Sequence, residues 1–327
     1  MTKSNPVKAA PKENLTSLYK HCTLCPRACG VSRLNHSFSN GFCGYGSVMR
    51  ISRIAPHLWE EPFLSGQGLE ATVKGSGTVF FCGCNLGCVY CQNHKISRSP
   101  VLSAENGDLL LGRDYSPDEL ADEMLRLQEL GVHNINLVTA VHFLPSVVIS
   151  LELARKRGLT LTTVYNSSGY EKTEALRMLD GLIDVYLPDF KYLSPKFSED
   201  YSSAADYPDI AKKAINEMFR QTGKPLFDSC GFMLKGTAVR HLILPGCDSD
   251  SQRIVKLLFD TYGNDGITLS LMNQYTPRDD LPFPELTEPL PYAAYLRVIE
   301  AAQALGFRYL YTQQEGTASE SFIREFT

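Results

Sequence analysis

Three cysteines at C-x3-C-x2-C spacing, Cys84, Cys88 and Cys91, follow directly on the apolar run Val79-Phe80-Phe81. Thiolates in so tight a loop suit an iron–sulfur cluster. A [4Fe–4S] cube is normally held by a cysteine at each iron, so three would leave one iron open to a substrate or cofactor. Gly87, having no Cβ, lets the backbone fold closely around such a cube. The competing use is a structural zinc site with Cys82 as fourth ligand. Zinc sites usually pair two short-spaced knuckles across a longer loop, whereas these four cysteines crowd into one. Cys82 and Cys84 flank a single residue of an apparent strand and would point the same way. Cys82 reads better as a small buried residue than as a ligand.

A second group lies nearer the N-terminus: Cys22, Cys25 and Cys29, then Cys43 in a Gly-rich turn. Four thiolates with turn-forming Pro and Gly around them could close a zinc site or hold a second cluster, and both stay open. The segment is too short to bury much core alone, so a metal staple is physically useful. Cys230 and Cys247 stand alone, and Cys247 reads as a buried apolar residue. Two structural cysteine sites would also fit a non-enzymatic, metal-stapled redox or scaffold protein. In that case the first loop needs a fourth ligand, and Cys82 is its nearby candidate.

The chain has 327 residues, 43% of them hydrophobic, enough for one large α/β domain plus a small extension. A formal charge of −4 and a pI near 6.0 offer no basic footprint, so no nucleic-acid partner is expected. Residues Met1 to Leu15 are polar and lack the apolar core of a secretion signal. No run approaches a membrane span, so no membrane association is expected. Ten cysteines in such a chain point to a reducing, cytoplasmic setting and to metal binding rather than disulfides.

These cysteines need a frame. From Ser116 helical and strand patterns alternate. Ser116-Pro117-Asp118-Glu119 reads as N-cap, N1 proline and capping-box glutamate, with Leu120, Met124 and Leu127 at helical spacing and Gly131 at the stop. Strands are expected at Ile135–Val138, Leu159–Tyr165, Leu182–Leu187, Val239–Leu244, Ile267–Met272 and Phe307–Tyr311. Helices are expected at Leu144–Arg157, Glu171–Leu179, Pro208–Gln221, Gln252–Tyr262 and Tyr292–Leu305. Such repeats imply a parallel sheet with right-handed crossovers. With Val79–Phe81 they make six or seven strands, a partial (β/α)6-type TIM barrel. The expected division is a Cys-rich extension over 1–74 and a barrel over 75–327. Segments 92–115 and 273–291 read as covering loops, and Arg53–Ser65, with Trp59 and Glu60-Glu61, as the piece that packs the extension onto the barrel. Chemistry in such barrels sits at the C-terminal strand ends. Polar groups gather there: Asn166-Ser167-Ser168, Asp189-Phe190-Lys191, Arg240-His241 and Asn273-Gln274-Tyr275. Together they suggest a polar pocket. Asp189 and Lys191 could instead be only a surface ion pair, and His94, His142 and His241 have no assigned part.

The C-x3-C-x2-C motif with Tyr90 just before its third cysteine resembles the signature of the radical S-adenosylmethionine (SAM) superfamily. The following Gln92-Asn93-His94 is similar to the pyruvate formate-lyase activating enzymes and their relatives, some of which carry cysteine-rich leaders. The resemblance implies a partial barrel, a [4Fe–4S] cluster on Cys84, Cys88 and Cys91, and bound S-adenosylmethionine. It implies reduction by flavodoxin or ferredoxin and hydrogen abstraction from a protein or small molecule, a glycyl-radical enzyme being one option. Asp189-Phe190-Lys191 looks like the Asp-x-Lys motif near the bound cofactor, and Asn166, Ser167 and Ser168 match a strand end that contacts its ribose and methionyl part. Arg240 and Gln274 occupy further strand ends, and Tyr90 would offer its backbone to the adenine. Two departures stand out. Asn166 replaces an Asp that often helps bind a monovalent cation, and the usual Gly-Gly-Glu is replaced by Asn136-Leu-Val-Thr139, leaving Thr139 or a neighbour to substitute.

Overall fold

The computed structural model describes residues 15–66, 74–97, 111–278 and 280–314. Among these residues ten strands make one sheet: β1 (Met49–His57), β2 (Ser76–Phe81), β3 (Arg113–Tyr115), β4 (Asn134–Val138), β5 (Thr162–Ser167), β6 (Val185–Pro188), β7 (Leu226–Phe227), β8 (Met233–Leu242), β9 (Thr268–Met272) and β10 (Leu310–Thr312). Their order is β10-β9-β8-β6-β5-β4-β2-β1-β3, with β7 antiparallel on β8. From β2 to β10 the neighbours along this path run parallel, and β1 and β3 add an antiparallel edge beside β2. The fold is mixed α/β with a mostly parallel sheet, in keeping with a partial TIM barrel. Every residue of β2 is buried, as befits a strand covered on both faces.

Helix Pro117–Glu129 carries the expected capping box. The Ser116 hydroxyl accepts from the Glu119 N–H, and the Glu119 carboxylate accepts from the Ser116 N–H at 2.7 Å. Helix Tyr292–Leu305 has the expected bounds, and Leu144–Lys156 differs by one residue. Other ends moved. Helix Asp248–Tyr262 begins before Gln252, because Asp248 and Asp250 complement its N-terminal dipole. The expected helix Glu171–Leu179 shrinks to Thr173–Leu176 plus a 3₁₀ turn, since buried Glu171 turns back to Ser167. Strand β8 starts at Met233 rather than Val239, where it pairs with β7.

Strand β1 lies within residues 1–74 yet joins the sheet, pairing Ile54 with Val79 and His57 with Ser76. The turn after it, Pro62–Ser65, enters the barrel. Phe63 and Leu64 pack with Val164, Val185, Leu187, Met233 and Ala238, filling the interior that the parallel strands enclose. Each such side chain contributes roughly 1.5–3 kcal/mol by leaving water. Two larger apolar clusters lie beneath the helices, one around β2 and β4, the other around β8 and β9. Among the described residues, no helix is long and apolar enough to cross a membrane.

Candidate active site

The cysteine loop leaves the C-terminal end of β2. Gly83, at φ +88°, breaks the strand there, where a Cβ would come within 2.5 Å of the Tyr45 ring. This break separates Cys82 from Cys84. Cys82 is buried in the cluster around β2 and donates to the Leu111 carbonyl at 3.7 Å, while Cys84 and Cys88 pack against the cluster around β8. The expectation that Cys82 and Cys84 point the same way is therefore corrected, since the alternation of a strand does not continue through a left-handed glycine.

Each of the three thiols accepts hydrogen bonds. Cys84 Sγ accepts from the Leu86 N–H at 3.3 Å, Cys88 Sγ from the Ser202 hydroxyl at 3.1 Å and Cys91 Sγ from the Ser97 hydroxyl at 3.4 Å. Burial pushes the Cys84 thiol up to about 12, with Cys88 adding to the effect, and raises Cys91 for the same reasons. Such sulfurs ionise only against a strongly cationic partner such as iron. Among the described residues no three His, Cys, Asp or Glu side chains already converge at metal-binding geometry. Three thiols on one half-buried loop are nonetheless the donors that an iron–sulfur cluster takes, so the donor set fits in its chemistry. Tyr90, buried, shares a 2.6 Å hydrogen bond with Tyr192, whose hydroxyl lies 2.9 Å from Ser202 Oγ. A hydroxyl chain thus runs from Tyr90 to Cys88.

Beside this loop the strand ends meet in a buried charged network. Arg240, on β8, donates to Asp189 at 3.0 Å, to Asn166 at 2.6 Å and to Glu60 at 3.3 Å. Asp189 also accepts from Lys191 at 2.7 Å. Against the cost of burial, Arg240 and then Lys191 hold the Asp189 carboxyl below its ordinary value. Lys191 is raised despite burial, by Asp189 and then Cys88. With side chains only 14% and 16% exposed, Lys191 and Asp189 form an internal pair and not the surface pair that the sequence allows.

Glu60 and Glu61, which the sequence assigned to packing, are part of this network. Glu60 accepts from Asn136 at 2.8 Å and Asn166 at 3.3 Å, and Glu61 from Ser270 at 2.9 Å. Burial lifts Glu61 to about 7, opposed by Arg240 and reinforced by Glu60. The sequence signal was an acidic pair directly before Pro62-Phe63-Leu64, a plug-like turn.

Other expected residues sit differently. Ser167 donates to Glu171 at 2.6 Å, and the Ser168 hydroxyl caps the Tyr170 N–H at 3.4 Å, so both are engaged in their own turn. Thr139 closes β4 with φ +59°, its N–H on the Asn166 carbonyl. Gln274 takes Gln92 on its carbonyl at 2.6 Å and Gln313 on its side chain at 3.0 Å, bracing the end of the cysteine loop against β9. His142 and His241 are buried and hold backbone carbonyls of Cys82 and Phe190.

A mostly parallel α/β sheet thus carries a three-thiol loop and charged side chains at its C-terminal edge. Residues 78–237 match the model of the Radical SAM superfamily. An uncharacterized protein of Methanocaldococcus jannaschii is 27% identical over 300 residues, covering 90% of this chain and 78% of its own. Among solved structures, a domain of a pyruvate-formate lyase-activating enzyme from Bacteroides vulgatus is 10% identical with a TM-score of 0.35, covering 51% of this chain and 89% of that one. A Plasmodium falciparum HPPK-DHPS is 8% identical with a TM-score of 0.24, covering 75% and 48%. Structural likeness at that level carries no argument about activity.

Proposed function

We propose that the protein is a radical SAM enzyme in which Cys84, Cys88 and Cys91 hold a [4Fe–4S] cluster beside bound S-adenosylmethionine. When bound, the cluster supplies the electron that cleaves S-adenosylmethionine reductively, giving a 5′-deoxyadenosyl radical for hydrogen abstraction. The observation that supports this reading is a three-thiol loop leaving the C-terminal end of β2, in a parallel sheet whose other strand ends carry the buried Asp189, Lys191 and Arg240 network. Lys191 has one described partner and donor capacity for two more acceptors, which suits the cofactor's carboxylate. Arg240 gives its donors to Asp189, Asn166 and Glu60, and its role in this reading is to position the strand ends. Asn166, Thr139 and Tyr90 border the cofactor through backbone and amide groups, while Gln274 holds the loop. Ser167 and Ser168 act through the turn they shape. The Ser202 hydroxyl on Cys88 tunes the electron density of that sulfur.

Flavodoxin or ferredoxin would deliver the electron, in the cytoplasm. For the substrate we favour a peptide glycine, as in activation of a glycyl-radical enzyme, on the likeness of Gln92-Asn93-His94 and Asp189-Phe190-Lys191 to the activating enzymes. The test is electron paramagnetic resonance of the dithionite-reduced protein with and without S-adenosylmethionine. The proposal expects a reduced four-iron signal that changes on cofactor addition and is absent in Cys88→Ala. A full cluster whose signal ignores the cofactor would overturn it and favour the scaffold reading.

A further inference from the structure

Arg33 is among the most deeply buried side chains, 1% exposed. Its Nε donates to the Tyr45 carbonyl at 2.7 Å. One terminal nitrogen reaches the carbonyls of Gly46 and His142 at 2.7 and 2.6 Å, and the other reaches Cys22 Sγ at 3.4 Å. Among the described residues it pairs with no carboxylate. A buried guanidinium keeps its charge, and a buried charge needs an opposite one. The anion-forming groups at hand are thiols.

Cys22, Cys25, Cys29 and Cys43 line, with Arg33, a small cavity of about 10 Å³. Space of that size matches one atom-sized body. Two of these sulfurs already accept backbone N–H groups, Cys29 from Phe42 at 3.4 Å and Cys25 from Arg27. We propose that these four cysteines form a mononuclear tetrathiolate site for a divalent ion of the zinc class, with Arg33 as its buried charge partner. Four thiolates around a divalent ion carry a net double negative charge, and Arg33 offsets half of it.

The same module grips the cluster loop. Arg27, between Cys25 and Cys29, donates to the Asn85 and Leu86 carbonyls at 2.9 and 3.0 Å and to those of Ser202 and Ser203 at 3.0 and 2.5 Å. Its guanidinium lies 3.9 Å over the Phe42 ring, and that ring faces Gly87, where a Cβ would sit 3.3 Å away. The ion therefore fixes the knuckle that presents Arg27 and Phe42 to the loop between Cys84 and Cys88. The ion site stands on its own observations, and only this bracing role rests on the radical SAM reading.

The experiment measures zinc, iron and sulfide in the full chain purified anaerobically. Wild type and the triple variant Cys84→Ala/Cys88→Ala/Cys91→Ala should each hold about one zinc, the latter with no iron. Cobalt loaded in place of zinc into the triple variant should give thiolate charge-transfer and tetrahedral ligand-field bands. Arg33→Met should release zinc to a chelator about 10–100-fold more readily. Arg27→Met should keep its zinc but lose iron to a chelator faster than wild type, with Arg27→Lys in between. Iron and sulfide retained by the triple variant would overturn the mononuclear site, as would cobalt bands that survive Cys25→Ser in soluble protein. Arg33→Met holding zinc as wild type would remove the charge-partner role, and unchanged iron loss in Arg27→Met would remove the brace.

Discussion

Arg240→Met removes the cation on which three strand ends converge. Arg240, Glu60 and Asp189 are only 15%, 10% and 16% exposed. Asp189 keeps Lys191 and Glu60 keeps the amides of Asn136 and Asn166, but Glu60 loses the cation it pairs with among the described residues. Stranding one partner of a buried ion pair costs about 3–5 kcal/mol, and the remaining contacts set the expectation near the lower end, about 3 kcal/mol. Urea unfolding followed by circular dichroism reads the cost. Adding Glu60→Gln to Arg240→Met removes the stranded carboxylate and should recover about 1 kcal/mol or more. A loss below about 1 kcal/mol for Arg240→Met, or no recovery in the double variant, would show that the network does not hold these strands together.

Three further outcomes follow from the same structure. Glu61 sits near 7 when folded against 4.5 for its ordinary value, so the folded state binds its proton more tightly. Stability from this group is fully present below pH 4.5 and is lost as pH rises towards 7, by up to about 3 kcal/mol. Glu61→Gln should flatten that part of the stability–pH curve. Phe63→Ala should cost about 3–5 kcal/mol by opening a cavity inside the barrel, read as a lowered urea midpoint with the sheet's circular dichroism retained in native buffer. Ser202→Ala removes the hydroxyl on Cys88 and should shift the cluster's reduction potential in spectroelectrochemical titration while leaving iron content unchanged.

The elements with local signals were legible in the sequence. Helix Pro117–Glu129 announces itself by a capping box that the backbone uses as expected, and the cysteine loop follows the first parallel strand. The antiparallel strand β1 was not legible. Its residues include Arg53 and Pro56, its register shifts between Ile51 and Arg53, and its partners lie further along the chain. Glu60 was missed for a related reason. Its bond to Arg240 spans 180 residues, and that of Glu61 to Ser270 spans 209, so no periodicity reports them. Ser167 shows the opposite limit. Its place at a strand end was clear, but Glu171, four residues on, captures its hydroxyl. Position on a strand does not determine which neighbour a hydroxyl chooses.

The most direct measurement is 5′-deoxyadenosine released by anaerobically reconstituted protein given S-adenosylmethionine and dithionite, with Cys88→Ala in parallel. Release by the wild-type protein and none by the variant is the predicted result. A protein carrying its full four-iron complement that releases none would contradict the assignment of Cys84, Cys88 and Cys91 to a reductive cleavage site.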